Sequence, residues 1–432
     1  MASTSVPAGH ALAIKQMSVA MSAQLTRAPG NANALTGSAP SESEAAGRFK
    51  FQTSEGMPFV RINDLATNPK GDKVSVDGFD SATMNPIMGD RNAVGNGQKI
   101  SSSTFDVTID LATFNMDAGG RMTRQRTRHD LRKLAKALLQ RQILQFSWLR
   151  CLVHAAGARG FQAGQSWNIP LASHADFADT MVNTVKAPTY NRHYVVNAAN
   201  LTRGGLQLGS IATQDTWRLA NLDNLALICE AMETKLPPPR IEGDEQAYDS
   251  PLKGILWMPP ASYNNLITDV ASSTSNLRAF QASVEARQKW APNSSVFRGE
   301  CGIWRGILVK KLEHTISFAA SAAYSYITAA NRLTETETTN GTVAAGLSTT
   351  HQAERSILMG AQTLARCEGA SNSGDIAAII EVLTNGNRNY EYLGEYMAGE
   401  AKFRHSFPNA SGDKEPTDNV LVIDAAAPIV AA

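Results

Sequence analysis

Cysteine is scarce: Cys151, Cys229, Cys301 and Cys367 are the four in 432 residues, and no two of them form a C-x-x-C pair. That spacing excludes a zinc ribbon and offers no disulfide framework, which fits a reducing compartment. Charge of one sign is lacking too, since 40 Lys and Arg against 39 Asp and Glu leave a formal charge of +1. The chain as a whole is no electrostatic attractor for nucleic acid or membranes, so any basic function has to be local. Long hydrophobic runs are missing. The nearest, Ile316 to Ala330, is interrupted by Ser, Thr and Tyr and falls short of a bilayer span. The opening MASTSVPAGHALAIKQ has no charged start followed by a sustained apolar stretch, which argues against a signal peptide and leaves the sequons at Asn200, Asn293, Asn340 and Asn409 with little meaning.

Enzyme signatures are equally absent. There is no GxxxxGK[ST] loop and no GxGxxG that follows a strand and opens a helix; GGLQLG from Gly204 has the wrong spacing. The eight histidines include no HExxH, and no GxSxG elbow occurs. His129 and His154 lie on one expected helix but many turns apart, too far to share a ligand or a proton. Glu335 and Glu337 stand in TETETTNGT, which reads as a solvated loop rather than as a carboxylate pair. The expectation is a structural or binding protein, not an enzyme, with no catalytic residue, cofactor or metal.

What is present begins with an arm. Residues 1 to about 50 are rich in Ala, Ser, Gly, Asn and Pro and hold too little large apolar surface to offset the entropy of ordering. Either a flexible arm or a frayed terminus fits. From Phe59 short extended pieces follow: FVRIND, KVSVDGF, and STFDVTIDLATF, in which Phe105, Val107 and Ile109 alternate with polar residues. Between the last two lies SATMNPIMGDRNAVGNGQKISS, a long aperiodic connection that reads as a two-stranded protrusion seeking a partner or as a mobile surface loop.

The stretch GGRMTRQRTRHDLRKLAKALLQRQ, Gly119 to Gln142, concentrates basic residues and opens a helix. Thr127 to Asp130 resembles a capping box, and Leu131, Ala135, Leu138, Leu139, Ile143, Phe146, Leu149 and Val153 recur at helical spacing up to a stop at Gly157. Leu138 is expected in the packed face, and Arg128, Arg132 and Lys136 on another. Beyond this the texture is mixed α and β. YVVNA and GILWMP read as strands, TWRLANLDNLALICEAMETKL from Thr216 as a helix ended by three prolines, FRGECGIWRGILVKKLEHTISF as two turn-linked extended pieces, RSILMGAQTLARC from Arg355 as a helix, and NVLVIDAAAP as a last strand.

Several of these segments carry a family resemblance. GGRMTRQRTRHDLRKLAKALL with GARG at Gly157, the Gly71-Asp72 and Gly89-Asp90 pairs, Val107-Thr108-Ile109-Asp110, NSSVFRGECGIWRGILVKKLEH, RNYEYLGEYMAGEAKFRHSF and NVLVIDAAA together resemble the major capsid proteins of tailed phages grouped with the N4-like podovirus coat protein. The resemblance spans most of the chain after about residue 50. It implies an α+β fold of the HK97 type, with an N-terminal arm (1–58), strands and an extended loop (59–117), a spine helix of the peripheral domain (118–160), a mainly axial region (161–390) and C-terminal strands (391–432).

It also implies a coat protein that assembles, in the cytoplasm of a host bacterium, into hexamers and pentamers of an icosahedral virion head around packaged double-stranded DNA. Scaffold, portal and decoration proteins are the implied partners, and DNA is touched only non-specifically. Expected assembly contacts are Arg121, Arg124, Arg126 and Arg128, at the hinge between loop and spine, and Asp90, Arg91 and Lys99 on the loop. The arginines meet carboxylates of a neighbouring subunit, neutralise phosphates of the packaged DNA, or serve only their own helix. An encapsulin-like compartment shell and a nucleic-acid-binding protein using the basic helix 121–150 are the rival readings. The latter lacks interleaved aromatics and a basic background.

Overall fold

Runs such as Gly254–Met258 and Val420–Pro428, in which nearly every residue is apolar or small, demand cover on both faces, and the fold provides it. The computed structural model describes residues 36–38, 56–67, 71–79, 86–89, 94, 102–127, 129–162, 167–239, 252–272, 278–279, 282, 300–347, 350–370, 376–384, 386, 388–408 and 413–429.

The chain enters through β1 (Thr36–Ser38), β2 (Phe59–Ile62) and the single turn α1 (Asp64–Thr67), then β3 (Lys73–Phe79), β4 (Ser102–Thr108) and β5 (Asp110–Gly120). The short helix α2 (Arg121–Arg126) precedes the long α3 (Leu131–Ala156), which is followed by α4 (Phe177–Met181), β6 (His193–Asn197), β7 (Asn200–Arg203), α5 (Leu219–Ala231), β8 (Gly254–Met258) and α6 (Pro260–Ala271). Next come β9 (Glu300–Trp304), β10 (Ile307–Lys311), β11 (Ser317–Phe318), β12 (Ala323–Ile327), β13 (Glu337–Thr342) and β14 (His351–Met359). The remaining strands are β15 (Leu364–Glu368), β16 (Ala377–Thr384), β17 (Asn389–Lys402), β18 (Arg404–Pro408), β19 (Lys414–Asp418) and β20 (Val420–Pro428).

One sheet of eight strands runs β7-β6-β20-β14-β8-β10-β9, with β11 beside β14. On one face Leu256, Met258, Leu358, Leu421 and Ile423 pack with Leu222 and Leu225 of α5 and Leu266 and Val270 of α6. On the other, Ile255, Trp257, Ile357 and Val420 join the core that holds the end of α3, where Trp148 meets Trp257 at a centroid distance of 5.0 Å. Each such side chain taken out of water contributes about 1.5–3 kcal/mol before entropy is counted.

A second sheet, of six strands, is built around β17. The N–H of Met397 donates to Ile376 and its carbonyl accepts from Gly369, so β16 and β15 follow one another along one edge of β17. β5 takes the other edge, and β2 then β1 extend the sheet in parallel from β15. Three ribbons, β3-β4, β12-β13 and β18-β19, stand apart from both sheets.

Helix α3 links the two sheets. Its 26 residues make a rod of about 39 Å. Ala135, Leu139, Ile143 and Phe146 lie on the β17 sheet, where Gly394 leaves room for them: a Cβ there would stand 2.6 Å from Ile143 Cδ1. Phe146 meets Phe114 and Tyr396 edge-on. From Phe146 to Ala156 every residue is buried, because the second half of the rod has the eight-stranded sheet against it as well.

Several expectations change. The helix starts at Leu131 with Asp130 as its cap, the carboxylate accepting from the Lys133 N–H, while the Thr127 hydroxyl accepts from His129 instead. Gly157, at φ 66°, ends it as expected. RSILMGAQTLARC forms no helix; it is the end of β14, a turn at Gly360 to Thr363, and β15. Buried on both faces, it has no period-two alternation to announce a strand. Leu138 is 53% exposed, on the side of α3 away from the sheet, so it is not a core residue. Thr36–Ser38, inside the presumed arm, pairs with Phe59–Arg61; the rest of residues 1–55 lies outside the described residues. TETETTNGT is not a free loop, since Glu337 opens β13 and Glu335 binds Arg404 at 2.8 Å. Asp110–Gly120 pairs with β17 and does not prolong the ribbon.

Candidate assembly surfaces

The ribbon β3-β4 pairs only with itself, from Lys73↔Thr108 to Phe79↔Ser102. Alternation gives it two different faces. Val74, Val76, Phe105 and Val107 turn inward on Phe403, whose ring meets Phe105 edge-on at 5.0 Å. Lys73, Ser75 and Asp77 face outward opposite Asp106 and Thr104: Lys73 pairs with Asp106, the Ser75 hydroxyl donates to Asp106 at 2.6 Å and the Thr104 hydroxyl to Asp77 at 2.5 Å. This outer face is polar and internally satisfied. Further along, Met88 is 71% and Val94 85% exposed, large apolar side chains with little of their own subunit over them.

The basic stretch divides. Arg132 and Lys136 are held within the subunit by Glu381 of β16: Arg132 donates to it at 2.6 Å, Lys136 lies 3.5 Å away, and the two cations stack on Tyr390 and Tyr392. Donation from Arg132 Nε to the Tyr392 hydroxyl at 3.1 Å holds the guanidinium in its charged form more firmly than usual. Arg132 and Lys136 fasten α3 to the β17 sheet of their own subunit. Arg121, Arg124 and Arg126 lie on α2, directly after β5, and Arg126 is exposed. Arg128, Asp90, Arg91 and Lys99 lie outside the described residues. Beside this region Leu134 and Leu138 stand one turn apart on the outer side of α3 with Ala137 between them, flanked by the exposed Lys133 and Arg141.

Behind these surfaces lie three buried ionic clusters that pattern reading did not find. Arg355 of β14 grips Asp424 of β20 through Nε and Nη2, each at 2.8 Å, His193 of β6 lies 2.7 Å from the same carboxylate, and Arg355 Nη1 donates to the Ala156 carbonyl at the end of α3. Burial works to raise the Asp424 carboxyl, yet Arg355 and His193 hold it well below the usual carboxylate range. Arg404 and Lys402 enclose Asp418 in the same way, while burial pushes the Lys402 ammonium down to about 8. Arg150 of α3 pairs with Glu400 of β17 at 2.6 Å, and Tyr396 donates to Glu400 at 3.0 Å. Partners separated by tens to hundreds of residues leave no local pattern.

His154 is buried with Nε2 3.3 Å from the Met181 carbonyl, and burial pushes it down to about 3. Cys151 and Cys229 are buried thiols pushed up to about 12 and about 11, which leaves them unreactive. No metal-ligating group of three or more side chains occurs among the described residues, and no helix among them is long and apolar enough to cross a membrane.

The fold has close relatives in shape. The capsid of Ralstonia phage GP4 superimposes with a TM-score of 0.67 at 20% identity, over 88% of this chain and 90% of that one. The cyanophage Pam1 capsid follows at 0.54 and 15%, over 90% and 98%, and the head structure of Helicobacter pylori bacteriophage KHP40 at 0.52 and 10%, over 86% and 88%. No curated protein matches by sequence. The family model described as phage capsid protein matches residues 5–429. A sheet-and-spine core of the HK97 type, a two-stranded ribbon that joins neither sheet and a family match over nearly the whole length lead to one conclusion: the chain belongs to the phage capsid proteins and is a major capsid protein of a phage head.

Proposed function

We propose that copies of this chain close into hexamers and pentamers of an icosahedral shell by laying the β3-β4 ribbon of each subunit across its neighbour. The observation that carries this reading is the ribbon itself, which adds to neither sheet and continues toward the exposed Met88 and Val94. Exposed apolar side chains at such positions are a common mark of a surface made to be covered. The β17 sheet with α3 then serves as the peripheral domain, and the β20-β14 sheet with α5 and α6 as the axial domain around which capsomers close.

Arg121, Arg124, Arg126 and Arg128 on one copy, with Asp90, Arg91 and Lys99 on the loop of another, are assigned to contacts between subunits. Near-neutrality of the whole chain supports this, because a strongly charged subunit repeated over a shell would accumulate repulsion. The role is structural rather than catalytic, exercised in the virion head after assembly in the host cytoplasm. Scaffold, portal and decoration proteins and the packaged DNA are further partners.

Electron microscopy of the full chain expressed alone, beside a variant lacking Ser81 to Gln98, tests the reading. The expected result is shells or capsomer rings from the wild type and folded, unassembled subunits from the deletion. Normal shells from the deletion would remove the ribbon from the interface. Loss of DNA affinity in proportion to log salt for an unassembled chain would favour the DNA-reading helix instead.

A further inference from the structure

The second strand of the ribbon passes into the β17 sheet across one residue. β4 ends at Thr108, β5 begins at Asp110 in another sheet, and the Ile109 N–H still donates to the Asp72 carbonyl at 2.8 Å to close the ribbon. The main-chain groups of Thr108 therefore point away from β3 and need partners elsewhere. One side chain supplies both. The Thr108 N–H donates to Asn183 Oδ1 at 2.9 Å, Asn183 Nδ2 donates to the Thr108 carbonyl at 2.8 Å, and the same Nδ2 donates to the Glu400 carbonyl of β17 at 3.1 Å. A carboxamide carries the donor and acceptor of a peptide group, so Asn183 acts as a single rung of strand inserted between the ribbon's root and β17.

The segment that presents Asn183 is strained and tightly fixed. Val182 sits at φ 63° and ψ −60°, which a β-branched side chain ordinarily avoids, and the Asn183 N–H donates back to the Met181 carbonyl at 2.7 Å. Such a turn persists only where its surroundings over-determine it. Here His154 lies against the Met181 carbonyl, Lys402 Nζ donates to Lys186 at 3.3 Å, Arg404 Nη2 to Ala187 at 2.6 Å, and the Ala187 N–H to Glu337 at 2.7 Å. On the facing strand a Cβ at Gly399 would overlap the Thr108 carbonyl oxygen, so β17 carries its glycine where the root crosses it. A cleft of about 500 Å³ lies along the same root, lined by Thr104, Asp106, Asn183, Lys186, Lys402 and Arg404, and leaves the ribbon room to tilt.

We propose that Asn183 is the positioning residue that fixes the angle at which the β3-β4 ribbon leaves the subunit, and that closure of the shell depends on this clamp. The inference rests on the reading of the ribbon as the element that overlaps a neighbour. Leverage explains the sensitivity: seven strand residues span about 23 Å, so a tilt of about 10° at Thr108 displaces the far end by about 4 Å, nearly one strand spacing, enough to break the second hold on the ribbon, the Ser406 N–H that donates to the Ser103 hydroxyl at 3.2 Å.

The test uses the full chain with Asn183→Ala, Asn183→Asp and Val182→Gly. Deuterium uptake is read in peptides covering residues 102–112, melting is followed alongside, and assembly products are counted by electron microscopy. Asn183→Ala is expected to speed exchange at Thr108 about tenfold without moving the main unfolding transition, and to replace closed shells by open or irregular ones. Asn183→Asp, which sets a carboxylate oxygen against two carbonyls, is expected to be worse. Val182→Gly, which adopts the turn freely, is expected to keep both protection and shells. Unchanged exchange in Asn183→Ala overturns the clamp, and faster exchange with shells of normal number and diameter overturns its role in closure. Where wild-type chains do not assemble alone, closure is scored on particles formed with the scaffold protein, while the exchange data decide the clamp.

Discussion

Replacing Asp424 with Asn examines how the end of α3 is fastened to the eight-stranded sheet. The carboxylate is fully buried, takes two hydrogen bonds of 2.8 Å from Arg355 and lies 2.7 Å from His193, and Arg355 in turn holds the last carbonyl of α3. The amide has nearly the same shape, so packing is kept while the counter-charge disappears. A guanidinium whose side chain is 1% exposed is then left uncompensated, a change that costs about 3–5 kcal/mol. Removing the other partner as well, with Arg355→Met, takes away the stranded charge, so the double variant is expected to lose less than the sum of the two singles by about 2 kcal/mol or more. Urea unfolding of the unassembled chain, followed by fluorescence of the buried Trp148 and Trp257, measures all four corners of the cycle. A loss below about 1 kcal/mol for Asp424→Asn, or strict additivity in the double variant, would refute the argument.

Two further outcomes follow from burial. Leu138→Asp is expected to melt within about 0.5 kcal/mol of the wild type because the side chain is already half in solvent, and to lower shell yield; Leu139→Asp, at a fully buried position, is expected to prevent folding, and equal melting of the two would show the helix face misassigned. Burial lowers the folded value of His154 to about 3, so the unfolded chain binds its proton first, near the ordinary value of about 6.5. Stability is therefore full above that ordinary value and falls as the pH drops below it, by up to about 1.4 kcal/mol per unit for this group. His154→Gln, read by melting across that range, is expected to flatten the slope by about one proton; an unchanged slope would contradict the assignment.

The legible parts of the sequence were those with a local cause. Phe105 and Val107 alternate with polar residues and mark β4, the leucine and alanine spacing marks α3, and Gly157 marks its end. Where a segment is buried on both faces the periodic signal vanishes, and Arg355 to Cys367 was read as a helix for that reason. Leu138 was misplaced by a similar ambiguity, since an apolar residue beside the core stripe looks the same whether its own sheet or another molecule covers it. The outward Lys73 and the inward Val74 follow from period two, whereas nothing local pairs Asp424 with Arg355 or Asn183 with Thr108. Period 3.6 puts Arg132 and Lys136 on a face apart from the leucine stripe, but the Glu381 that ties them to the sheet lies more than two hundred residues away.

The order of strands also imposes a schedule on synthesis. β20, among the last residues of the sequence, lies between β6 and β14 in the middle of its sheet, and β2 waits about three hundred residues for β15. Neither sheet is complete until the ribosome has delivered nearly the whole sequence, so the ribbon made early has no finished body behind it. A polypeptide cut short before Val420 lacks a central strand rather than an edge. Such a chain is expected not to fold, and so to offer the growing head no subunit that could occupy one of its positions.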